Sequence, residues 1–196
     1  MSAGRSLDEH VVSGAPSLPL SVRSLLLREL RSVRAELEAY PDETAIWALP
    51  PGLPNSGGTL ALHIAGNLRH YVGAVLGGSG YVRDRAREFT ARGVSRRELL
   101  DEITAAEDVI GSTFPHLSDA DLPGTFPEPI RDHWIPTGEM LLQLAVHLAY
   151  HLGQLSYHRR VVTGESGGVG ALPAGELRGA RAAGERTPPS TVEERG

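Results

Sequence analysis

The stretch "LLQLAVHLAYHLGQLSYHRRVV", residues 141–162, decides the reading of the whole chain. Leu141, Leu144, Leu148, Leu152 and Leu155 recur at steps of three, four, four and three residues, the period of an α-helix that buries one face. His147, His151 and His158 stand on the same helix. Four residues is about one turn and seven about two, so the three rings project from neighbouring parts of one face. That face is either functional or simply solvated.

Three further segments repeat the apolar pattern. Val22, Leu26, Leu30, Val33 and Leu37 predict a first helix, Leu60, Ile64, Leu68, Tyr71 and Val75 a second, and Leu99, Ile103, Ala106, Ile110 and Phe114 a third. Four amphipathic helices imply an all-α protein, a four-helix bundle. Ser95 and Glu98 are spaced as a capping box, with Val94 and Leu99 as its hydrophobic staple. Ser56 and Pro136–Thr137 offer starts for the second and fourth helices. Proline-rich breaks at Pro41, 49–54 and 122–129 separate the elements. The bundle is expected over 19–163. Residues 1–18 and 164–196, rich in small and polar residues, read as flexible segments.

Composition removes several function classes. The 196 residues, 40% hydrophobic, suffice for one sizeable core. A formal charge of -5 leaves no basic footprint for nucleic acid. No charged and apolar leader pattern opens the chain, and the most apolar segment is interrupted by Gln143, His147 and His151, which argues for a cytoplasmic protein that neither spans nor enters a membrane. There is no cysteine, and all 19 basic residues are arginine. Thiolate metal sites, a cysteine nucleophile, a Walker lysine and a Schiff-base lysine are therefore absent.

The histidines carry the remaining chemistry. His147 and His151 can reach one ion from adjacent turns. A third ligand must come from another helix, and His63 in "LALHIAGN" is the best candidate, because Ala65 and Gly66 beside it let a partner approach. Three neutral imidazoles suit zinc, nickel, iron or copper and leave a coordination position open. Spacing alone favours an ordinary pair of helical histidines over a metal site. His10, His116, His133 and His158 read as such, and His70, two turns beyond His63, is at most a neighbour of the site. Asn67 or Gln154 could accept the second ring hydrogen of a ligand. The arginines and acids of "RDRAREF", residues 83–89 and Arg83 first among them, could close over the site or grip an anionic substrate, although a solvated connecting arm is the simpler reading of that segment. Leu148 stands where a zinc peptidase would carry its glutamate, and no Glu-x-x-His occurs on any helix.

"LALHIAGNLRHYVGAVL", "RDRAREF" and "LLQLAVHLAYHLGQLSYHRRVV" together resemble the second helix, the following arm and the fourth helix of the DinB/YfiT-like superfamily. The resemblance covers about residues 19–163. It implies a four-helix bundle in which His63, His147 and His151 bind a divalent metal, commonly zinc or nickel, with iron or manganese as alternatives, and often a homodimer. Characterised relatives include thiol S-transferases and isomerases that use a low-molecular-weight thiol. The expected function is therefore a metal-dependent transferase or hydrolase acting on a small molecule by thiol S-transfer or hydrolysis. The alternative is a non-catalytic bundle, a stress or binding protein that a metal merely stabilises.

Overall fold

A computed structural model describes residues 17–169 and residue 175. Most of the two segments expected to be flexible lies outside the described residues. The elements are α1 (Leu18–Glu38), α2 (Glu43–Trp47), α3 (Gly57–Leu68), α4 (Arg85–Thr90), α5 (Arg96–Thr113) and α6 (Thr137–Thr163), with short 3-10 turns after α5. The described residues form a four-helix bundle of α1, α3, α5 and α6. The α1 helix packs on α5 and α6, and α3 packs on the same two. Their shared interior holds Val22, Leu26, Leu30, Val33 and Leu37 of α1, Leu99, Ile103, Ala106 and Ile110 of α5, and Leu141, Leu144, Leu148 and Leu155 of α6.

Local chemistry sets the helix boundaries. Ser56 Oγ accepts from the Thr59 N–H at 3.1 Å and opens α3. The Ser95–Glu98 capping box forms as its spacing predicts, and Val94 and Leu99 both pack into the core. Pro136 caps α6, and Gly164, at φ 72, ends it in the left-handed region that glycine tolerates best. The short α2 escapes the periodicity analysis. Asp42 caps it, and its Trp47 donates from Nε1 to the Val94 carbonyl at 2.9 Å.

Two features depart from the amphipathic expectation. All residues of α3 are buried, so the second helix is the central one and has no solvent face. Beyond Leu68 it does not continue as a regular α-helix through Val75. Arg69–Leu76 widens into π-helical turns, and the Gly77 N–H reaches back to the Val72 carbonyl at 2.9 Å. The wide turn lets the Thr113 hydroxyl donate to that same carbonyl at 3.3 Å, tying α3 to the end of α5.

Two sets of buried polar groups pair across the bundle. Arg159 on α6 donates from Nε to Glu36 on α1 at 2.5 Å. His158 donates from Nε2 to the Ala48 carbonyl at 2.9 Å, so its Nδ1 accepts from the Tyr40 hydroxyl at 2.7 Å. Burial pushes the His158 pKa below its ordinary value, which keeps the ring neutral and suited to this role. His158 is thus a satisfied core histidine, in line with its ordinary reading from the sequence, and stands apart from His147 and His151.

Candidate metal centre

Three histidines from two helices meet in the bundle interior. The centre of α3 supplies His63, buried among apolar neighbours, and α6 supplies His147 and His151 one turn apart. One nitrogen from each lies within 4.8 Å of the other two. His147 Nε2 is 3.1 Å from His151 Nε2 and 3.3 Å from His63 Nε2. Nitrogens bound about 2.0–2.1 Å from one zinc ion at tetrahedral angles stand roughly 3.3 Å apart, a spacing that both distances from His147 match.

The outer nitrogens explain why the inner ones face each other. His63 Nδ1 donates to Glu88 Oε2 at 2.9 Å, and His151 Nδ1 donates to Gln154 Oε1 at 2.7 Å. Each ring therefore presents the Nε2 lone pair to the centre. A single proton on His147 Nε2 can serve only one of these two lone pairs, whereas a cation meets all three rings. This donor set fits a divalent metal.

Glu88 is the site residue that sequence reasoning missed. It lies on α4, within the arm expected to be solvated, and is buried with 5% exposure. Arg83 donates to it from Nε at 2.6 Å and from Nη2 at 2.9 Å. Burial opposes its ionisation, yet the bonds from His63 and Arg83 outweigh that cost and hold its carboxyl below the usual range. Gly66, one turn beyond His63, makes the approach possible, since a methyl group there would collide with the Glu88 carboxylate. The solvated-arm reading is thus corrected: Arg83 and Glu88 belong to the site, while Arg85 and Arg87 remain exposed.

The other expected residues separate cleanly. Gln154 holds His151, as anticipated. Asn67 does not hold His63, because Glu88 occupies that role; it lines the adjoining pocket instead. His70 lies outside the cluster, with its Nε2 3.1 Å from the Glu128 carboxylate and its ring edge-on to Tyr71. Among the described residues no fourth histidine or carboxylate joins the group.

Burial, reinforced by His151, His63 and the Arg83 charge, lowers the His147 pKa to about 4. Burial likewise lowers His151, partly offset by its bond to Gln154. Both rings are therefore uncharged and able to ligate at neutral pH. A pocket of ≈ 860 Å³ opens onto His63 and His147 and is walled by Tyr71, Ile135, Met140 and Leu144.

An all-α bundle with a three-histidine group beside a pocket is the class this architecture defines, one compatible with metal binding. The family model described as the DinB superfamily matches residues 25–155, a span that includes His63, Glu88, His147 and His151, and the chain belongs to that superfamily. No curated protein and no solved structure matches the chain.

Two measurements on metal-free protein check this geometry. Nitrogen-detected NMR should find His63 and His151 protonated at Nδ1 at pH 7.5, and Gly66→Ala should remove the His63 bond by displacing Glu88. Because the folded His147 pKa lies below its ordinary 6.5, its stabilising effect is complete above pH 6.5 and is lost as pH falls from there toward about 4. Urea midpoints should fall over that window in the native sequence, and less in His147→Ala.

Proposed function

We propose that His63, His147 and His151 bind one divalent metal, zinc or nickel before iron or manganese, and that the site is a catalytic centre for a small-molecule substrate. The carrying observation is the convergence of three Nε2 atoms at 3.1 and 3.3 Å on the side of a pocket. Such an ion supplies a Lewis acid that can keep a bound thiol as thiolate or lower the pKa of a bound water to about 7.

The chain's own residues have definite tasks in this reading. Glu88 and Gln154 fix ring orientation and keep the Nε2 lone pairs available. Arg83 holds Glu88 ionised and occupies both of its oxygens, so Glu88 positions His63 and does not serve as a general base. Leu144 and Met140 supply apolar walls that limit water around the reacting group. Leu148 is buried, so no glutamate-type base stands between the two α6 histidines. With Glu88 held by Arg83 and Glu139 the single acid lining the pocket among the described residues, thiol S-transfer suits the site better than hydrolysis. A nucleophilic thiol must come from outside, since the chain has no cysteine. A three-ligand site beside a pocket favours this reading over a metal that serves stability alone.

We further infer a homodimer in the cytoplasm. Among the described residues no helix is long and apolar enough to cross a membrane. Yet the exposed face of α6 runs through Leu142, Val146, Tyr150, Gly153, Tyr157 and Val161 and carries no charged side chain over about 28 Å. The face is complementary to its own reverse. An antiparallel copy centred between Gly153 and Gln154 sets Tyr150 against Tyr157 and Val146 against Val161, as a two-fold interface requires. The space above Gly153 is open, which lets two helices approach.

Cobalt substitution tests the catalytic reading. Cobalt-loaded protein should show visible d–d absorption, and 2-mercaptoethanol should add a near-ultraviolet thiolate charge-transfer band. Glu88→Ala should weaken cobalt binding about 10–100-fold. Absorption of bound cobalt that no thiol perturbs would refute the thiol role. Light scattering after size exclusion should give a dimer for the native chain and a folded monomer for Val146→Glu/Tyr157→Glu, whereas a native monomer would contradict the interface.

A further inference from the structure

The pocket over the three-histidine group contains positive charge that the bundle does not consume. Most arginines of this region are committed: Arg83 to Glu88, and Arg69 and Arg87 to Glu102. Arg85 and Arg131 also line the pocket, and among the described residues neither has an acidic group within ion-pair distance. The guanidinium of Arg85 lies 5.3 Å from the centre of the Phe89 ring, which itself packs 5.0 Å from His63. Phe89 thus contacts both the Arg85 guanidinium and the His63 ring.

Arg131 is held there against backbone preference. It has φ 46, and Asp132 after it has φ 68, both in the left-handed region. Ile130 and His133 exchange backbone hydrogen bonds of 2.8 and 3.0 Å around them, closing a two-residue turn. His133 Nδ1 adds a 2.7 Å donation to the Arg131 carbonyl. Turns of this kind favour asparagine followed by glycine, so an arginine at the first position is maintained at a conformational cost. Its side chain lines the pocket.

The remaining lining completes a chemical description. Tyr71, Ile135, Met140 and Leu144 provide an apolar wall, while Glu139 is the single acid on the lining apart from the Arg83-bound Glu88 behind it. Two unpaired guanidinium groups against one carboxylate leave the mouth net positive. Arginine recognises carboxylate and phosphate by paired N–H donation.

We propose that this pocket binds an organic anion. Its carboxylate or phosphate is held by Arg85 and Arg131, its apolar body lies against Tyr71, Ile135, Met140 and Leu144, and its far end reaches His63 and His147. The inference deepens the proposed function by naming the substrate class, and it rests on that reading only for what happens at the far end.

Hexanoate and its neutral counterpart hexanamide serve as probes, titrated by NMR into the full-length chain as purified. Hexanoate should bind about fivefold or more tightly than hexanamide, with shifts at Ile135, Met140 and Leu144. The preference should shrink as sodium chloride is raised. It should vanish in Arg85→Gln/Arg131→Gly, a variant that relieves the left-handed backbone at residue 131 and so should melt no lower than the native chain. Should the double variant fail to fold, Arg131→Gly alone should lower the preference. Equal binding of the two probes, no binding of either, or a preference that survives removal of both arginines would overturn the proposal. Metal content of the same preparation judges the metal reading separately, so each can fail without the other.

Discussion

The bond from His63 Nδ1 to Glu88, with its counterpart from His151 to Gln154, is the constraint on which the site depends. A histidine with a free choice of tautomer points a proton or a lone pair into the interior with similar ease. Fixing the outer hydrogen removes that choice and turns three neighbouring rings into one donor set. The arrangement is costly without a cation, because lone pairs on His63 and His151 both face His147. The fold bears this cost through buried leucines of α1, α5 and α6 and the inter-helix pair Arg159–Glu36.

The site in turn shapes what surrounds it. Gly66 is bare so that Glu88 can enter, and Arg83 follows to neutralise the carboxylate. The arm between α3 and α5 is drawn onto the bundle by these contacts, so a segment polar by composition becomes a wall of the pocket. Beyond it, the π-helical turns redirect the end of the second helix, and His70 pairs with Glu128 instead of joining the cluster. The α6 helix has two duties at once. Its inner face supplies core leucines and two of the three rings, while its outer face carries Leu142, Val146, Tyr150, Tyr157 and Val161 exposed among the described residues.

Most of the fold was legible because it rests on period. The leucines, isoleucines and valines that predict α1, α5 and α6 are found buried, Leu152 only partly, and the Ser95–Glu98 box caps where its spacing says it should. The three histidines were legible too, two from an i, i+4 step and one from its apolar setting. Gln154 could be inferred because it is three residues from His151 on one helix. Glu88 could not, because its burial depends on a contact between separate elements and on a side chain that Gly66 lacks. Its signals were the acids of the 83–89 arm and Gly66, one turn after His63. The π-helical turns were hidden for a similar reason: Tyr71 and Val75 keep a helical spacing, while the widening answers to Thr113 on another helix.

Metal stoichiometry is the most direct test of the account, measured by elemental mass spectrometry on untagged full-length protein beside His147→Ala. The account predicts about one divalent ion per chain in the native sequence and its loss in the variant, with the helical content of both unchanged. A native protein that holds no ion, even after incubation with zinc, nickel or iron, would contradict it.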